Sequence, residues 1–557
     1  MASRESSFTI HPALGGLDVA SDPTILDPNF LTVADNIEYR EGGQRRKRQG
    51  FSIYSSGATS TGTGNFVQAS TATVRALADY WSYAGGVPPS QIWLAVADNW
   101  IYKSTGDGKW VQSTLAAGST LSTAFGTATS KQTLITLANN YAVISDGSSP
   151  PVVFSTAGVT NLSTTPAFST ATFHLARLWY SGYTSSPSQI TFTAADNIFD
   201  STGADAGTAK INDGDGDQIV GISKPFYGSL YLFKGPQFGS VHQLSGQTPA
   251  TFAVAQVAFG APLQNARGLI STPTDIYWIS NYGIHSLETT VKFGNVEQAF
   301  LSLPIQKFWR DGTMTNASLD QAWGFWDPAR NVVGWVVTVA GGLQTLAFLY
   351  NYALSDPKPG GKKFWSVWKL GTLSLKSGTV ALLPSGIASQ YGNTGEPRFI
   401  VGTSGGLVYV GNQSGFQDAG TNYQARVRTP LLTKFSQRDG GPPIPETQEK
   451  SFSGIVTYYN PVGGNDPVTL TVTIDDRTQV ASVPLMGTGA TLGPGGTFKL
   501  GASTLGGLAF NFVETPEISD RGRGIFLTWD QGSSGGMELL GYSIRYLAGE
   551  KAAKDGS

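Results

Sequence analysis

Residues 212–244 read NDGDGDQIVGISKPFYGSLYLFKGPQFGSVHQL. The opening Asn-Asp-Gly-Asp-Gly-Asp is too rich in Gly and Asp for a helix or a strand, and marks a turn. A short apolar run, Gln218-Ile219-Val220-Gly221-Ile222, follows, and then a polar break. Next come Leu230-Tyr231-Leu232-Phe233-Lys234, a Gly-Pro turn, and Ser240-Val241-His242-Gln243-Leu244. The pattern is strand, turn, strand, turn, strand.

The same unit recurs on both sides. Ile92-Trp93-Leu94-Ala95-Val96 turns at Asp98-Asn99 into Trp100-Ile101-Tyr102-Lys103. Tyr141-Ala142-Val143-Ile144 and Arg177-Leu178-Trp179-Tyr180 begin two more units. The clearest is Ile276-Tyr277-Trp278-Ile279, Asn281-Tyr282-Gly283, Ile284-His285-Ser286-Leu287. Residues 332–350, centred on Gly341-Gly342, read as a buried hairpin, and residues 398–410 make the last unit. Starts lie roughly 40 to 65 residues apart, near the period of a propeller blade. Inner strands as apolar as Leu230-Tyr231-Leu232-Phe233 suit sheets buried on both faces. The expected fold is all-β: an irregular β-propeller of about seven blades over residues 61–425. An array of β-sandwiches is the rival.

Two flanks differ from the repeats. Residues 1–60 read as an N-terminal arm and docking segment, with a possible short helix over 29–36 and a strand at Ile37-Glu38-Tyr39-Arg40. Residues 426–557, which include a Gly-Pro-rich linker at 439–445, read as a C-terminal β-sandwich ending in a polar tail.

Composition agrees with many short strands. Of 557 residues, 69 are Gly, aromatics reach 11% and charged residues only 14%, which leaves little material for amphipathic helices. The net charge of −2 argues against sequence-wide attraction to nucleic acid. With Cys at zero, disulfides, thiolate nucleophiles and cysteine zinc sites are excluded. The first residues, MASRESSFTIHPALGG, hold no apolar signal-peptide core, so cytoplasmic synthesis of a soluble chain is expected.

Chemistry-bearing patterns are few. Asp213, Asp215 and Asp217 alternate like the start of a calcium loop, but the sixth and twelfth positions are Gln218 and Lys224 rather than Gly and Glu. A solvated turn is favoured over an irregular calcium site on these oxygens. Residues 402–406 and 532–536 both match G-x-S-x-G, yet both lie between strands and no His follows His285. His11, His174, His242 and His285 lack metal-motif spacing, and residues 105–110 approach a sialidase Asp-box one residue short. The reading is therefore of a chain that is not an enzyme and needs no cofactor or metal.

The arm, GGLDVASDPTILDPNFLTVADNIEYREGGQRRKRQGF, resembles the N-terminal segment of bacteriophage tail nozzle proteins, the tail tubular protein B family. The likeness rests on the Gly-Gly-Leu turn, the Leu31-x-x-Ala34-x-Asn36 element, the alternating strand, and a Gly-Gly turn into basic residues and a final Gly. Residues 212–244 are similar to that family's central feature, a Gly-Asp turn followed by Ile-x-Gly-Ile and Leu-Tyr-Leu-Phe-Lys. The Asn-x-Gly-Ile hairpin at 281–284 also resembles it.

That resemblance implies a structural virion component located in the tail. Six copies would ring the axis as a homohexameric nozzle, closing the DNA channel and opening for ejection. Implied partners are portal-proximal adaptors, tail fibres or spikes, and genomic DNA passing without sequence-specific binding. Arg45, Arg46, Lys47 and Arg48 are the expected subunit-docking residues; deleting residues 1–50 would then abolish assembly and leave the propeller folded. The alternative is a tail-associated glycan-binding or glycan-degrading receptor-binding protein.

Overall fold

The computed structural model describes residues 6–10, 15–54, 73–83, 89–97, 99–106, 108–117, 119, 133–162, 166–293, 300–339, 344–356, 361–371, 373–383, 395–411, 415–435, 446–460, 462, 466–483, 511–515 and 520–548. The Gly-Pro-rich linker, the polar tail and the Gly341-Gly342 turn lie outside them.

Apolar strands joined by Gly turns pair with their nearest neighbour in sequence, which produces small antiparallel meanders. Blade 1 is Val74–Ser82, Ser90–Ala97, Trp100–Ser104 and Trp110–Gln112. Blade 2 is Leu134–Ala138, Tyr141–Ser145, Val152–Ser155 and Gly158–Asn161, and blade 3 is Thr170–His174, Arg177–Ser181, Gln189–Phe192 and Gly207–Lys210. Blade 4 holds the opening stretch as Gln218–Ile222, Leu230–Gly235 and Ser240–Ser245, with Ala253–Phe259 outermost. Leu269–Ser271, Ile276–Ile279 and Ile284–Ser286 form a three-stranded blade 5.

Blade 6, Trp323–Asp327, Val332–Val339, Gln344–Asn351 and Phe364–Lys369, is the beginning of a nine-stranded sheet. Blade 7 is Leu375–Ala381, Arg398–Thr403 and Val408–Gly411, extended by Phe51–Ile53 from the arm. Six small sheets thus ring the axis, and the start of the larger one fills the remaining place. Innermost strands touch in chain order, Gln218–Ile222 meeting blade 5 through the turn Ala266–Gly268, and Leu375–Ala381 returns to Val74–Ser82. Among the described residues strand makes up 52% and helix 6%, as an all-β reading requires.

Strand alternation explains the stacking. On one face of blade 4, Leu230, Leu232 and Leu244 pack against Trp179, Ile190 and Phe192 of blade 3. On the other, Phe233 and Val241 pack against Ile276 and Trp278 of blade 5. Each such side chain, fully buried, contributes about 1.5–3 kcal/mol. The outermost strand, Ala253–Phe259, is largely exposed, as the last strand of a blade should be.

The flanks are woven into this ring. Val33–Asp35 lies between Phe364–Lys369 of blade 6 and Ala425–Arg428, whose other side pairs with Ile525–Gln531; Val468–Ile474 and Arg477–Val483 complete the nine strands. A second sheet joins the arm strands Ser6–Ile10, Ile37–Tyr39 and Arg45–Lys47 to Glu538–Ala548 and Lys450–Tyr459. One apolar core runs from Leu17, Leu31 and Ala34 through Trp335 and Trp365 to Trp529, Tyr542 and Tyr546.

Two expectations change here. The helix over 29–36 is replaced by the strand Val33–Asp35, because two neighbouring strands offer it ladder partners that a lone short helix would forgo. Cuts after residues 60 and 425 separate the chain into arm, propeller and sandwich on paper, but the second falls at a strand hydrogen-bonded on both sides.

Candidate functional site: motif turns, basic strand and propeller axis

The Gly-Asp turn of blade 4 wraps a cation supplied by the chain itself. Gly214 and Gly216 have φ of +89° and +88°, a left-handed backbone that brings carbonyls and carboxylates to one point. Into it projects the fully buried ammonium of Lys234, the end of the Leu-Tyr-Leu-Phe-Lys strand. Its Nζ lies 2.6 Å from both Asp215 carboxylate oxygens, donates to the carbonyls of Ile211 and Asn212 at 3.0 Å each, and to Ser188 Oγ at 3.3 Å. Of the three carboxylates expected of a calcium loop, Asp215 belongs to this lysine cage, and Asp213 pairs with Lys210 at 2.6 Å on the surface. Asp217 does separate work, accepting backbone N–H bonds from Gln237, Phe238 and Gly239 at 2.9, 3.0 and 2.7 Å.

The basic run is folded inward. Arg45 and Lys47 are at most 2% exposed and Arg48 is fully buried. Arg45 donates to Asn29 O at 2.9 Å and Gly15 O at 3.4 Å, fixing the Gly-Gly-Leu turn. Lys47 Nζ donates to Ser533 O at 2.7 Å and lies 4.7 Å from the centre of the Tyr423 ring. Burial lowers its pKa to about 8. Arg48 pairs in a fork with Asp418, at 2.8 and 2.5 Å, donates to Asn36 Oδ1 at 3.1 Å, and stacks 3.8 Å from the Tyr423 ring centre. Arg46 is more open, 3.7 Å from Glu538.

A docking role for Arg45, Lys47 and Arg48 is therefore corrected: their charges are already bonded within the chain, and a neighbouring subunit has no access to them. Residues 1–50 also supply strands to the C-terminal sheet and to the nine-stranded sheet that begins with blade 6, and side chains to the largest core.

Asp418 was not marked by the sequence reading, and no local pattern pairs positions 370 residues apart. The Gly-Gly-Leu turn and the final Gly of the arm carry a clearer signal. A Cβ on Gly16 would lie 2.1 Å from Lys363 O, and one on Gly50 would lie 1.8 Å from Gln417 O. Asn36, at φ +53°, bonds Gln424 O at 2.7 Å and receives Lys369 N at 2.8 Å.

At the propeller axis the innermost strands enclose a cavity of about 550 Å³, lined by Leu77, Asp79, Thr136, Thr172 and Val380 among others. A smaller space of about 170 Å³ adjoins it at Leu77, Leu134 and Leu269, where Arg75 and Arg267 stand. Burial raises the Asp79 carboxyl above its usual range, opposed by hydrogen bonds from Gln91 at 2.9 Å and Trp81 at 3.2 Å. Arg267 donates to the carbonyls of Arg75, Lys376 and Gln321 at 3.2, 3.1 and 3.3 Å, and burial lowers its pKa to about 10. Arg75 reaches Asp146 of blade 2 at 3.5 Å. Arg75 and Arg267 thus tie blades together around the axis.

The remaining candidates are dispersed. Ser404 sits in the turn between Arg398–Thr403 and Val408–Gly411, and Ser534 in the turn between Ile525–Gln531 and Glu538–Ala548, 3.4 Å from Asp466. His242 bonds Ser240, and His285 bonds Ser280, each at 2.9 Å. Full burial lowers the His285 pKa to about 3. His11 and Asp107 of the Asp-box-like turn lie outside the described residues. Among the described residues no three His, Cys, Asp or Glu side chains cluster to hold a metal ion.

The sequence matches no family model and no curated protein. Solved structures give distant likenesses. A quinoprotein alcohol dehydrogenase-like protein from Bacteroides thetaiotaomicron is 9% identical, over 56% of this chain and 68% of that one, with a TM-score of 0.31. YCF48 bound to a D1 peptide is 11% identical, over 61% and 92%, at 0.32. An exo-β-1,3-galactanase from Phanerochaete chrysosporium is 10% identical, over 90% and 100%, at 0.23. The expectation that the chain is not an enzyme is corrected on this ground: enzymes stand among the structures it resembles, so the exclusion does not hold. Likeness this distant transfers no activity to the chain.

Proposed function

We propose that the chain is a structural subunit of a bacteriophage tail nozzle. In this reading six copies ring the tail axis in the virion, meet adaptor proteins above and fibres or spikes beside them, and pass genomic DNA through the common lumen. One observation carries it. Residues on which the family likeness rests are tightly held by the fold: Gly16, Leu31, Ala34, Asn36, Arg48 and Gly50 lie at the joint of arm, blade 6, blade 7 and C-terminal sheets. Lys234 and Asp215 form the cage of blade 4. A pattern placed at such positions reflects shared architecture better than shared composition does.

Electron microscopy and native mass spectrometry of the purified chain test the reading. The expected particle is a six-fold ring with an axial lumen. A monomer at all concentrations, or a trimeric spike, overturns it.

A further inference from the structure

The turn after the Leu-Tyr-Leu-Phe-Lys strand and the Asn-x-Gly-Ile turn of the next blade form a cleft that neither the cage nor the ring reading uses. Pro236, Gln237 and Phe238 of blade 4 and Asn281 and Tyr282 of blade 5 face a space of about 390 Å³, with Gln264 and Asn316 completing its wall. That volume lies within the range of small-ligand sites. Phe238 and Tyr282 are 57% and 48% exposed, although both sit on turns whose flanking strands are buried. Four amide side chains, Gln237, Gln264, Asn281 and Asn316, accompany the two rings, and no charged residue lines the cleft. Asn281 Oδ1 is buried with no hydrogen-bond partner among the described residues.

Both turns are held in advance. Asp217 accepts the N–H groups of Gln237, Phe238 and Gly239, so the Phe238 loop is pinned by a buried carboxylate. Ser280 Oγ accepts from Tyr282 N and Gly283 N at 3.0 Å each, and Gln306 donates to Tyr282 O at 2.6 Å. Exposed aromatic rings on rigid turns cost little ordering entropy when they bind.

We propose that this cleft binds a neutral glycan. Flat rings present apolar surface to the C–H faces of a sugar, and amides both donate to and accept from hydroxyl groups. An uncharged lining pairs with an uncharged ligand, because an anionic sugar would lose hydration with no cation to replace it. The proposal is independent of the ring: each subunit carries the cleft whatever its oligomeric state.

The test is saturation-transfer NMR on the full chain with maltohexaose, cellohexaose, chitohexaose, laminarihexaose and dextran, beside sialyllactose as an anionic comparison. Transfer to at least one neutral sugar is expected. Phe238→Ala and Tyr282→Ala should each weaken it about tenfold, the loss of one stacking contact. Tyr227→Ala, which removes an exposed ring in another turn of blade 4, should leave it unchanged. No transfer to any neutral sugar at about 5 mM, where even millimolar complexes register, overturns the proposal. So does binding that survives both cleft variants, or a preference for sialyllactose.

Discussion

The Gly-Asp turn and the basic run are both dense clusters of charge, and both look in the sequence like surfaces meant for something outside the chain. Each turns inward, but over different distances. Lys234 finds Asp215 19 residues away, within its own blade. Arg48 finds Asp418 370 residues away, across the place where the arm closes blade 7. The first pair shapes a blade; the second joins the ends of the propeller to each other and to the C-terminal sheets. Charge patterning alone does not tell the two apart, since the distinguishing quantity is the separation of the partners.

Removing residues 1–50 is the most severe way to break the comparison. Four strands, Ser6–Ile10, Val33–Asp35, Ile37–Tyr39 and Arg45–Lys47, leave with them. Loss of the cooperative unfolding transition and rapid proteolysis of the C-terminal region are expected by circular dichroism and limited digestion. A truncated chain with native melting behaviour would show the arm to be dispensable.

Arg48→Ala comes next, at about 3–5 kcal/mol of lost stability in chemical denaturation, because Asp418 is left buried and unpaired. Arg48→Lys should recover little of it, since an ammonium cannot reproduce the fork or the stack on Tyr423. Lys234→Met should cost less, about 1–3 kcal/mol, because the side chain of Asp215 is 33% exposed and water can take over its charge. Hydrogen exchange should rise around residues 211–217 and not at the arm. An equal loss for the two variants, or exchange spread over all blades, would erase the distinction between a local and a closing pair.

Asp275 sharpens the comparison as a carboxyl whose hydrogen bonds come from N–H and O–H groups alone. Ile276 N and Glu288 N donate to its Oδ1 at 2.8 and 3.1 Å, yet burial outweighs them and raises its pKa to about 6. The unfolded chain ionises this group near pH 3.8 and the folded chain near 6, so its contribution to stability is full at low pH and is lost as pH rises through that window. Asp275→Asn keeps the acceptor and removes the charge. A gain of about 1–3 kcal/mol at pH 7, with a flatter pH dependence between those two values, is expected from denaturation series. A loss at pH 7 would mean that the ionised form is the one the fold favours. The smallest effect concerns calcium: at about 1 mM it should leave the melting temperature of the intact chain unchanged, because the ammonium already holds the turn oxygens.

How far the sequence could be read follows the same division. Strand alternation and turn residues are local, so Leu230–Gly235 and Ser240–Ser245 could be placed from residues 230–244 alone. The Lys234 cage was half visible: carboxylates and lysine were both in view, but strand length and turn geometry decide that one fills the other. The aromatic cleft had a weaker signal still, Phe238 and Tyr282 each following a turn residue in separate blades. Val33–Asp35 escaped because its strand character comes from two neighbours, at 364–369 and 425–428, that no window around it contains.

By itself, then, the sequence determined all-β meanders, with their closure into a ring an expectation beside a rival array of sandwiches: the apolar period and the Gly turns act over a few residues and leave little choice of local structure. Only the tertiary structure decided where the charges point and where the domains join. A buried cation is tolerated solely when oxygens arrive to meet it. For Lys47 and Arg48 some of those oxygens come from hundreds of residues away, on Ser533 and Asp418.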